Sequence, residues 1–148
     1  MRNPVLLICL AAAFSACGEQ PGQQAVSEDA ETVVVGEVQW IHDDFEAAFA
    51  LAAREGKSVF IDFYADWCPP CRTLSDEYFP RADYQEFLSG VVPLKVNVDN
   101  QQDFAQRYGV SSIPTLVLTD ALGNELDRVV GVTGTPEDFL QVLKALGE

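Results

Sequence analysis

The sequence predicts an α/β fold in which a central mixed sheet carries helices on both faces. Three observations support this prediction. Strand-like and helix-like apolar patterns alternate along the chain. Residues 57–65 form a continuous apolar run, typical of a strand that is buried on both faces of a parallel sheet. The 148 residues have room for one domain of ordinary size with its own core.

The predicted domain begins with a strand and a helix. Residues 33–40 are predicted to be the first strand, and apolar side chains recur at helical spacing from Phe45 onward. Asp43 or Asp44 is suited to cap the start of this helix, because a short polar side chain can accept the free N–H groups of a first turn. Gly56 is suited to end it.

The middle of the domain contains the strand of residues 57–65 and a polar segment of helical character. Pro69 and Pro70 take early helical positions in that segment, where a missing N–H does little harm. A third strand is predicted over residues 91–98, and a short helix over residues 101–108.

The last part combines a hairpin with a final helix. Residues 115–119 and 125–130 are strand-like and lie on either side of a turn, which predicts antiparallel pairing. Thr135 and Pro136 then open a final helix, because Thr caps a first turn and Pro is tolerated at its first position. The complete order is β-α-β-α-β-α-β-β-α.

The net charge excludes one class of partner. The chain has 23 acidic and 9 basic residues, which gives a formal net charge of −14 at pH 7. Nucleic acid is excluded as a partner, because its binding depends on Lys and Arg side chains that neutralise phosphates. Repulsion also keeps such a domain off an anionic lipid surface. Any membrane attachment would therefore have to come from acyl chains.

The N-terminal region is predicted to be a leader followed by a tether. Residues 1–16 have a basic residue, an apolar stretch and small residues in the order typical of a signal peptide. Phe14-Ser15-Ala16-Cys17 resembles the lipobox of bacterial lipoproteins, in which the cysteine is acylated. Secretion with cleavage after Ala13 is the alternative. Residues 17–36 are polar and rich in Gly and Gln, typical of a flexible tether, and residues 37–148 are the folded domain.

The chemistry is predicted to lie in Trp67-Cys68-Pro69-Pro70-Cys71, at the junction of the buried strand and the helical segment. Two cysteines separated by two residues at the first turn of a helix can close a small disulfide ring. The helix start offers N–H groups and partial positive charge to the leading sulfur, which favours a thiolate. This pattern indicates a redox-active dithiol.

Two other uses of paired cysteines are disfavoured. A structural zinc site needs two further Cys or His ligands at matching spacing, and the other candidates in the chain are Cys9, Cys17 and His42. A haem attachment site needs His directly after the second cysteine, where Arg72 stands. We therefore expect no metal and no cofactor.

Three motifs resemble the thioredoxin family. Phe60-Ile-Asp-Phe-Tyr-Ala-Asp-Trp-Cys-Pro-Pro-Cys71 resembles its active-site strand and turn, and is especially similar to the C-terminal periplasmic domain of the disulfide reductase DsbD. Ser112-Ile-Pro-Thr115 resembles the loop whose proline is cis in this family, and residues 94–99 resemble its third strand. The resemblance covers about residues 36–147 and implies the thioredoxin fold. Thioredoxins usually carry a proline shortly after the second cysteine; here Leu74-Ser75-Asp76 stands instead, which predicts a less kinked helix.

The resemblance implies a role for each residue of the motif. Cys68, nearer the helix start and the surface, is expected to attack a partner's disulfide, and Cys71 to resolve the mixed disulfide. Trp67 is expected to cover the site with its ring; an ordinary core aromatic is the alternative. Pro114 is expected to place the backbone of Ile113 beside the sulfurs, where it can pair with an extended substrate; a simple turn proline is the alternative.

Asp62 is the one charged residue within its apolar strand. Burial should raise its pKa, and a buried acid near Cys71 can take the proton of that thiol. By the family match, Lys95 on the neighbouring strand is its charge partner and moderates the shift. A strand-end aspartate that faces solvent is the alternative.

The Pro-Pro dipeptide predicts the direction of electron flow. Neither Pro69 nor Pro70 can donate an N–H to the Cys68 thiolate, which leaves chiefly the N–H groups of Cys71 and Arg72. A less stabilised thiolate means a less oxidising disulfide. Asp62 and Asp66 act in the same direction by like-charge repulsion, and the Arg72 side chain opposes them.

These inferences lead to a thiol:disulfide oxidoreductase that reduces protein disulfides in the periplasm of a Gram-negative-type bacterium. It is expected to be a monomer, to be anchored by acylated Cys17 to the inner or outer membrane, and to receive electrons from a membrane donor of the DsbD kind. A disulfide-forming oxidant or isomerase is the alternative within this class. A non-catalytic module that binds a client or a metal is the alternative from another class.

Overall fold

The computed structural model describes residues 37–148, in which helices and strands alternate as expected. The strands are β1 (Ile41–His42), β2 (Val59–Tyr64), β3 (Val92–Asn97), β4 (Thr115–Thr119) and β5 (Glu125–Val130). The α-helices are α1 (Phe45–Glu55), α2 (Pro69–Thr73), α3 (Ala82–Ser89), α4 (Gln102–Arg107) and α5 (Pro136–Lys144). A π-helical segment, Leu74–Tyr78, continues from α2.

The strands form one mixed sheet in the order β1-β3-β2-β4-β5. Strands β1 and β2 run parallel to β3, whereas β4 runs antiparallel to both β2 and β5. The predicted hairpin of β4 and β5 is therefore confirmed. Strands β2 and β3 lie at the centre, which explains why the former reads as an unbroken apolar run.

Side chains of β2 alternate between the two faces of the sheet, each of which is covered by helices. Ile61 and Phe63 pack in the cluster that includes residues of α1 and α4. Phe60 packs on the other face, in the cluster that includes residues of the π-helical segment, α3 and α5. Because strand side chains alternate with a period of two, Asp62 points to the same face as Phe60. The single acid of β2 therefore lies on the face covered by the segment that follows α2.

The first strand is not where the sequence predicts it. Within the described part of the predicted range, residues 37–40 form no strand, and the remainder, residues 33–36, lies outside the described residues. Strand β1 instead begins at Ile41. Trp40 packs against the apolar cluster of the second face, and the N–H of Val38 donates to Gln85 Oε1 at 2.6 Å. These contacts take the place of a strand ladder.

The predicted ends of two helices are confirmed. Asp44 caps α1 by accepting the N–H of Ala47 at 2.9 Å, and Gly56 ends that helix with a φ of 65°, which glycine adopts without strain. Thr135 and Asp138 form a reciprocal capping box at the start of α5.

The helix after the cysteines, which the sequence predicts to be less kinked than in thioredoxins, is interrupted by the π-helical segment. The α-helical pattern ends at Thr73, and the N–H of Phe79 donates to the carbonyl of Leu74 at 2.8 Å, an i to i+5 bond. A π-helical turn is one of the recognised causes of helix irregularity. A separate helix, α3, then follows, which the sequence pattern does not predict. Each helix within residues 37–148 is too short or too polar to cross a lipid bilayer.

Candidate active site

The cysteine motif begins immediately after β2. Strand β2 ends at Tyr64, and the chain turns so that the N–H of Cys68 donates to the carbonyl of Ala65 at 3.1 Å. Cys68 has extended backbone angles and is the N-cap residue of α2, whose first two residues are Pro69 and Pro70. The two prolines thus occupy the first helical turn, as the sequence predicts.

Cys68 and Cys71 form a disulfide, with their Cα atoms 5.3 Å apart. Cys68 is 2% exposed and Cys71 is 1% exposed, and both pack against Ala65, Val98 and Ile113. The expectation that Cys68 lies nearer the surface therefore stays a prediction, because both cysteines of the oxidised pair are buried.

The start of α2 offers few hydrogen-bond donors to Cys68. An N-cap side chain normally accepts the N–H of the second or third helical residue. Pro70 holds the second position and has no N–H, and Cys68 makes no side-chain cap bond. The N–H of Arg72, expected from the sequence to be available, donates to the carbonyl of Cys68 at 3.2 Å. Cys71 is left as the one backbone donor in the first turn.

Asp62 and Lys95 form a buried ion pair on the central strands. They are directly paired in the parallel register of β2 and β3, and Lys95 Nζ donates to Asp62 Oδ2 at 2.9 Å. Asp62 is fully buried, so it is not a solvent-facing strand end. Burial raises the pKa of Asp62, and the charge and hydrogen bond of Lys95 partly offset that rise.

The surroundings of Lys95 include residues that the sequence does not single out. Ser75 Oγ lies 2.6 Å from Lys95 Nζ. The same nitrogen lies 5.0 Å from the ring centroids of Trp40 and Tyr64 and 5.3 Å from that of Phe79. We call these three rings the aromatic cage. The signal available in the sequence was the spacing of Ser75, four residues after Cys71 and therefore on the same helical face.

Trp67 is an exposed residue of the site and not a core aromatic. It is 66% exposed, and its indole Nε1 donates to Asp99 Oδ2 at 2.9 Å. The ring forms one wall of the disulfide groove, a cleft of about 400 Å³ lined by Trp67, Val98, Val110, Ser111, Ser112 and Ile113. The bond to Asp99 fixes the indole at the edge of that cleft.

The remaining residues that the sequence analysis singled out lie in three different places. The peptide bond between Ile113 and Pro114 is cis, as the resemblance implies, and Ile113 contacts the cysteine cluster. Asp66 and Arg72 are both exposed beside the motif. Cys17 lies outside the described residues. Within residues 37–148, no group of three or more potential ligands is arranged to hold a metal ion.

The arrangement of the described residues supports thiol-disulfide exchange. It combines a disulfide at the start of a helix, a buried acid on the strand that leads to that helix, and an apolar groove at the surface beside the sulfurs. Exchange requires an attacking thiolate, a second thiol to resolve the mixed disulfide, and access for a partner.

Comparisons with known proteins agree with this chemistry. The family model for a thioredoxin-like domain matches residues 45–147. A thioredoxin H-type protein from Oryza sativa subsp. indica is 40% identical over 89 residues, which are 60% of this chain and 70% of that protein. The thiol:disulfide interchange protein DsbD of Pseudoalteromonas atlantica is 34% identical over 95 residues, 60% of this chain but only 16% of that protein.

A solved structure titled DsbH oxidoreductase has the same fold. It superposes with a TM-score of 0.68 at 20% sequence identity, over 87% of this chain and 93% of that chain. The matched family model and the disulfide of Cys68 with Cys71 together identify the family of the chain. It belongs to the thioredoxin-like family, as a thiol:disulfide oxidoreductase in which Cys68 and Cys71 form the disulfide.

Proposed function

We propose that the protein is a protein-disulfide reductase of the bacterial periplasm, with Cys68 and Cys71 as its electron-carrying pair. The observation that carries this proposal is the position of Cys68 as an N-cap followed by Pro69 and Pro70. A cap sulfur with few N–H donors forms a poorly stabilised thiolate. Because strong oxidants are those whose reduced form is stabilised, the Cys68–Cys71 couple has a reducing potential.

The proposed reaction transfers two electrons from the dithiol to a partner's disulfide. The Cys68 thiolate attacks one partner sulfur, a Cys68–partner bond forms, and the other partner sulfur leaves as a thiolate. Cys71 then gives up its proton, attacks Cys68 Sγ and displaces the partner sulfur that is bonded to Cys68. The protein ends with the Cys68–Cys71 disulfide, and the partner ends with two reduced cysteines.

We assign to Asp62 the role of accepting the proton of Cys71. Asp62 lies on the face of β2 that is covered by the segment after α2, and its Oδ1 has no hydrogen-bond partner among the described residues. Its raised pKa, caused chiefly by burial, makes it a stronger base than an exposed aspartate. The positive charge of Lys95 stabilises the ionised form of Asp62 in this buried position.

The disulfide groove is proposed as the docking site for the partner. Its walls are Trp67 on one side and residues 110–113 on the other. An extended substrate segment could pair with the backbone at Ile113 while its disulfide meets Cys68. Trp67, held by Asp99, would cover the bound segment.

The location and the electron donor form a separate part of the proposal. Residues 1–16 would be removed as a signal peptide, Cys17 would be acylated, and residues 17–36 would tether the domain 37–148 to a membrane. A DsbD-type protein would reduce Cys68–Cys71; the relatives named DsbD support this assignment. A Cys17→Ser chain expressed in a Gram-negative bacterium should lose both lipid labelling and membrane association; equal membrane association of both chains would contradict the anchor.

The direction is tested by the equilibrium reduction potential. The full chain with Cys9→Ser and Cys17→Ser keeps Cys68 and Cys71 as its only cysteines and is equilibrated against a series of glutathione ratios. A potential near about −270 mV, as in thioredoxin, supports the reductase. A potential near about −120 mV, as in the strong oxidant DsbA, would identify a disulfide-forming enzyme instead. The absence of any reversible change would favour a binding module.

A further inference from the structure

The hydroxyl of Ser75 links the segment after the active-site helix to the buried ion pair. Ser75 lies in the π-helical segment, and its Oγ is 2.6 Å from Lys95 Nζ on β3. Because an ammonium group can only donate, the serine oxygen accepts this hydrogen bond. Lys95 therefore holds two acceptors at once, one from the sheet and one from the helix layer.

The other contacts of Lys95 do not fix its direction. The aromatic cage attracts the ammonium through the faces of three rings, an interaction without a defined hydrogen-bond geometry. Among the described residues, Asp62 and Ser75 are the partners to which Nζ donates. Within residues 37–148, Ser75 is thus the one neutral group that accepts a hydrogen bond from the ammonium.

Lys95 has space into which it could move. It lines a cavity of about 110 Å³ together with Ser75, Phe79, Gln85 and Glu37. Glu37 is exposed and lines the same cavity, so its carboxylate is a competing partner for the ammonium. A lysine released from Ser75 could turn toward this cavity and leave Asp62 without its counter-charge.

Cys71 and Ser75 share one helical face. They are four residues apart, which is about one turn, and Cys71 is buried while Ser75 is half-buried against Lys95. The turn that carries the resolving thiol is therefore followed by the turn that holds Lys95. Of the neighbours of Asp62, β3 supplies Lys95, β4 supplies the apolar Leu116, and Tyr64 stands on β2 itself.

We propose that Ser75 is a positioning residue, whose hydroxyl holds the Lys95 ammonium on Asp62 and so sets the pH range in which Asp62 accepts the proton of Cys71. This inference rests on the proposed function, because the role of Asp62 as proton acceptor belongs to it. The step itself is unchanged: the proton passes from Cys71 Sγ to the Asp62 carboxylate as the sulfur attacks Cys68.

The test replaces Ser75→Ala in the full chain that carries Cys9→Ser and Cys17→Ser. Alanine favours helix, so the substitution removes the hydroxyl without disfavouring the backbone. Ser89→Ala is the matched control, since Ser89 is an exposed helical serine that bonds only the carbonyl of Glu86 within α3. Ser75→Thr keeps a hydroxyl and should restore the original behaviour.

Two measurements follow the effect. The Asp62 carboxyl is titrated by NMR in the oxidised protein, and the rate of reduction of a peptide disulfide is recorded against pH. Ser75→Ala should raise the pKa of Asp62 and move the acid limb of the rate profile to higher pH. At a given pH on that limb, the rate should fall by up to roughly threefold. Ser89→Ala should leave both unchanged.

An unchanged Asp62 titration in folded Ser75→Ala would overturn the positioning role, even if the parent chain is an active reductase. Failure of the parent chain to reduce the peptide would instead overturn the proposed function, and the titration would still decide whether Ser75 acts on Asp62. If Ser75→Ala does not fold, Ser75→Val removes the hydroxyl while it keeps the shape of the Ser75→Thr variant, and the same two measurements apply with the same expected direction.

Discussion

Asp62 and Lys95 face each other across the two central strands, and the 2.9 Å bond between Asp62 Oδ2 and Lys95 Nζ is buried beneath the helical layer. Only one of the two carboxylate oxygens is satisfied, because Oδ1 has no partner among the residues described. An ion pair that is incompletely hydrogen-bonded and fully desolvated is weak evidence for stability. Under the proposed function, the unpartnered Oδ1 is the oxygen that accepts the proton of Cys71.

The first prediction concerns stability and pH. The folded-state pKa of Asp62 lies above the ordinary value of 3.8, so the folded protein binds more protons than the unfolded chain between these two values. Stability contributed by this group therefore falls as pH rises from 3.8 through the folded pKa, at about 1.4 kcal/mol per pH unit, and is constant above it. Urea unfolding of the oxidised wild type and Asp62→Asn at several pH values measures the difference.

The matched control for this prediction is Asp138→Asn. The pKa of Asp138 is lowered, chiefly by the Thr135 hydrogen bond, so its stabilising contribution is lost only as pH falls through the low folded value. Above about pH 5 the Asp138→Asn difference should therefore be constant. A wild-type stability that increases relative to Asp62→Asn between pH 4 and pH 8 would contradict the assignment of a raised pKa.

The second prediction separates the two prolines. Pro70→Ala supplies an N–H at the second helical position, which can cap the Cys68 thiolate, whereas Pro69→Ala supplies one at the first position, which does not normally cap. A hydrogen bond to a charged group contributes about 1.5 kcal/mol or more, which corresponds to roughly 30 mV for a two-electron couple. The Pro70→Ala potential should be less negative by that amount, and Pro69→Ala should change it less. Equal shifts would refute the capping argument.

The third prediction concerns the exposed indole. Trp67→Ala removes one wall of the disulfide groove, so kcat/KM for a peptide disulfide should fall roughly fivefold, as expected for an aromatic anchor worth more than 1 kcal/mol. Because the side chain is exposed, the free energy of unfolding should change by no more than about 0.5 kcal/mol. Leu122→Ala, at an 85% exposed residue of the β4–β5 turn, is the control and should alter neither quantity. A Trp67→Ala chain of normal activity would remove the residue from the docking site.

The fourth prediction separates stability from chemistry. Thr135→Ala removes one half of the capping box of α5 and should lower the free energy of unfolding by about 1 kcal/mol. The reduction potential of Cys68–Cys71 should remain at the wild-type value, since α5 contributes no residue to the site. Thr133→Ala, in the preceding loop, is the control and should have no effect on stability. A changed potential in Thr135→Ala would mean that α5 is coupled to the dithiol.

Local patterns account for most of the fold. The apolar run of β2, the hairpin turn, the caps Asp44 and Thr135 and the stop at Gly56 are each fixed by neighbouring residues, and the structure contains them all. The first strand, the π-helical segment and α3 are the exceptions. An apolar stretch of the length of the predicted first strand can either pair with a neighbouring strand or pack its side chains against the core. Trp40 packs against the rings of Phe60 and Phe79 on the second face of the sheet.

The sequence by itself determined the dithiol and the family, because the two cysteines and the residues that carry the resemblance lie within short motifs, whereas the pairing of Asp62 with Lys95 across 33 positions was expected only from the family match. Only the tertiary structure decided what surrounds those groups. The burial of Cys68, the aromatic cage and the bond from Ser75 to Lys95 join residues that are far apart in the chain. Such contacts depend on how the helical layer packs against the sheet, and that packing is set by the whole core, not by any one segment.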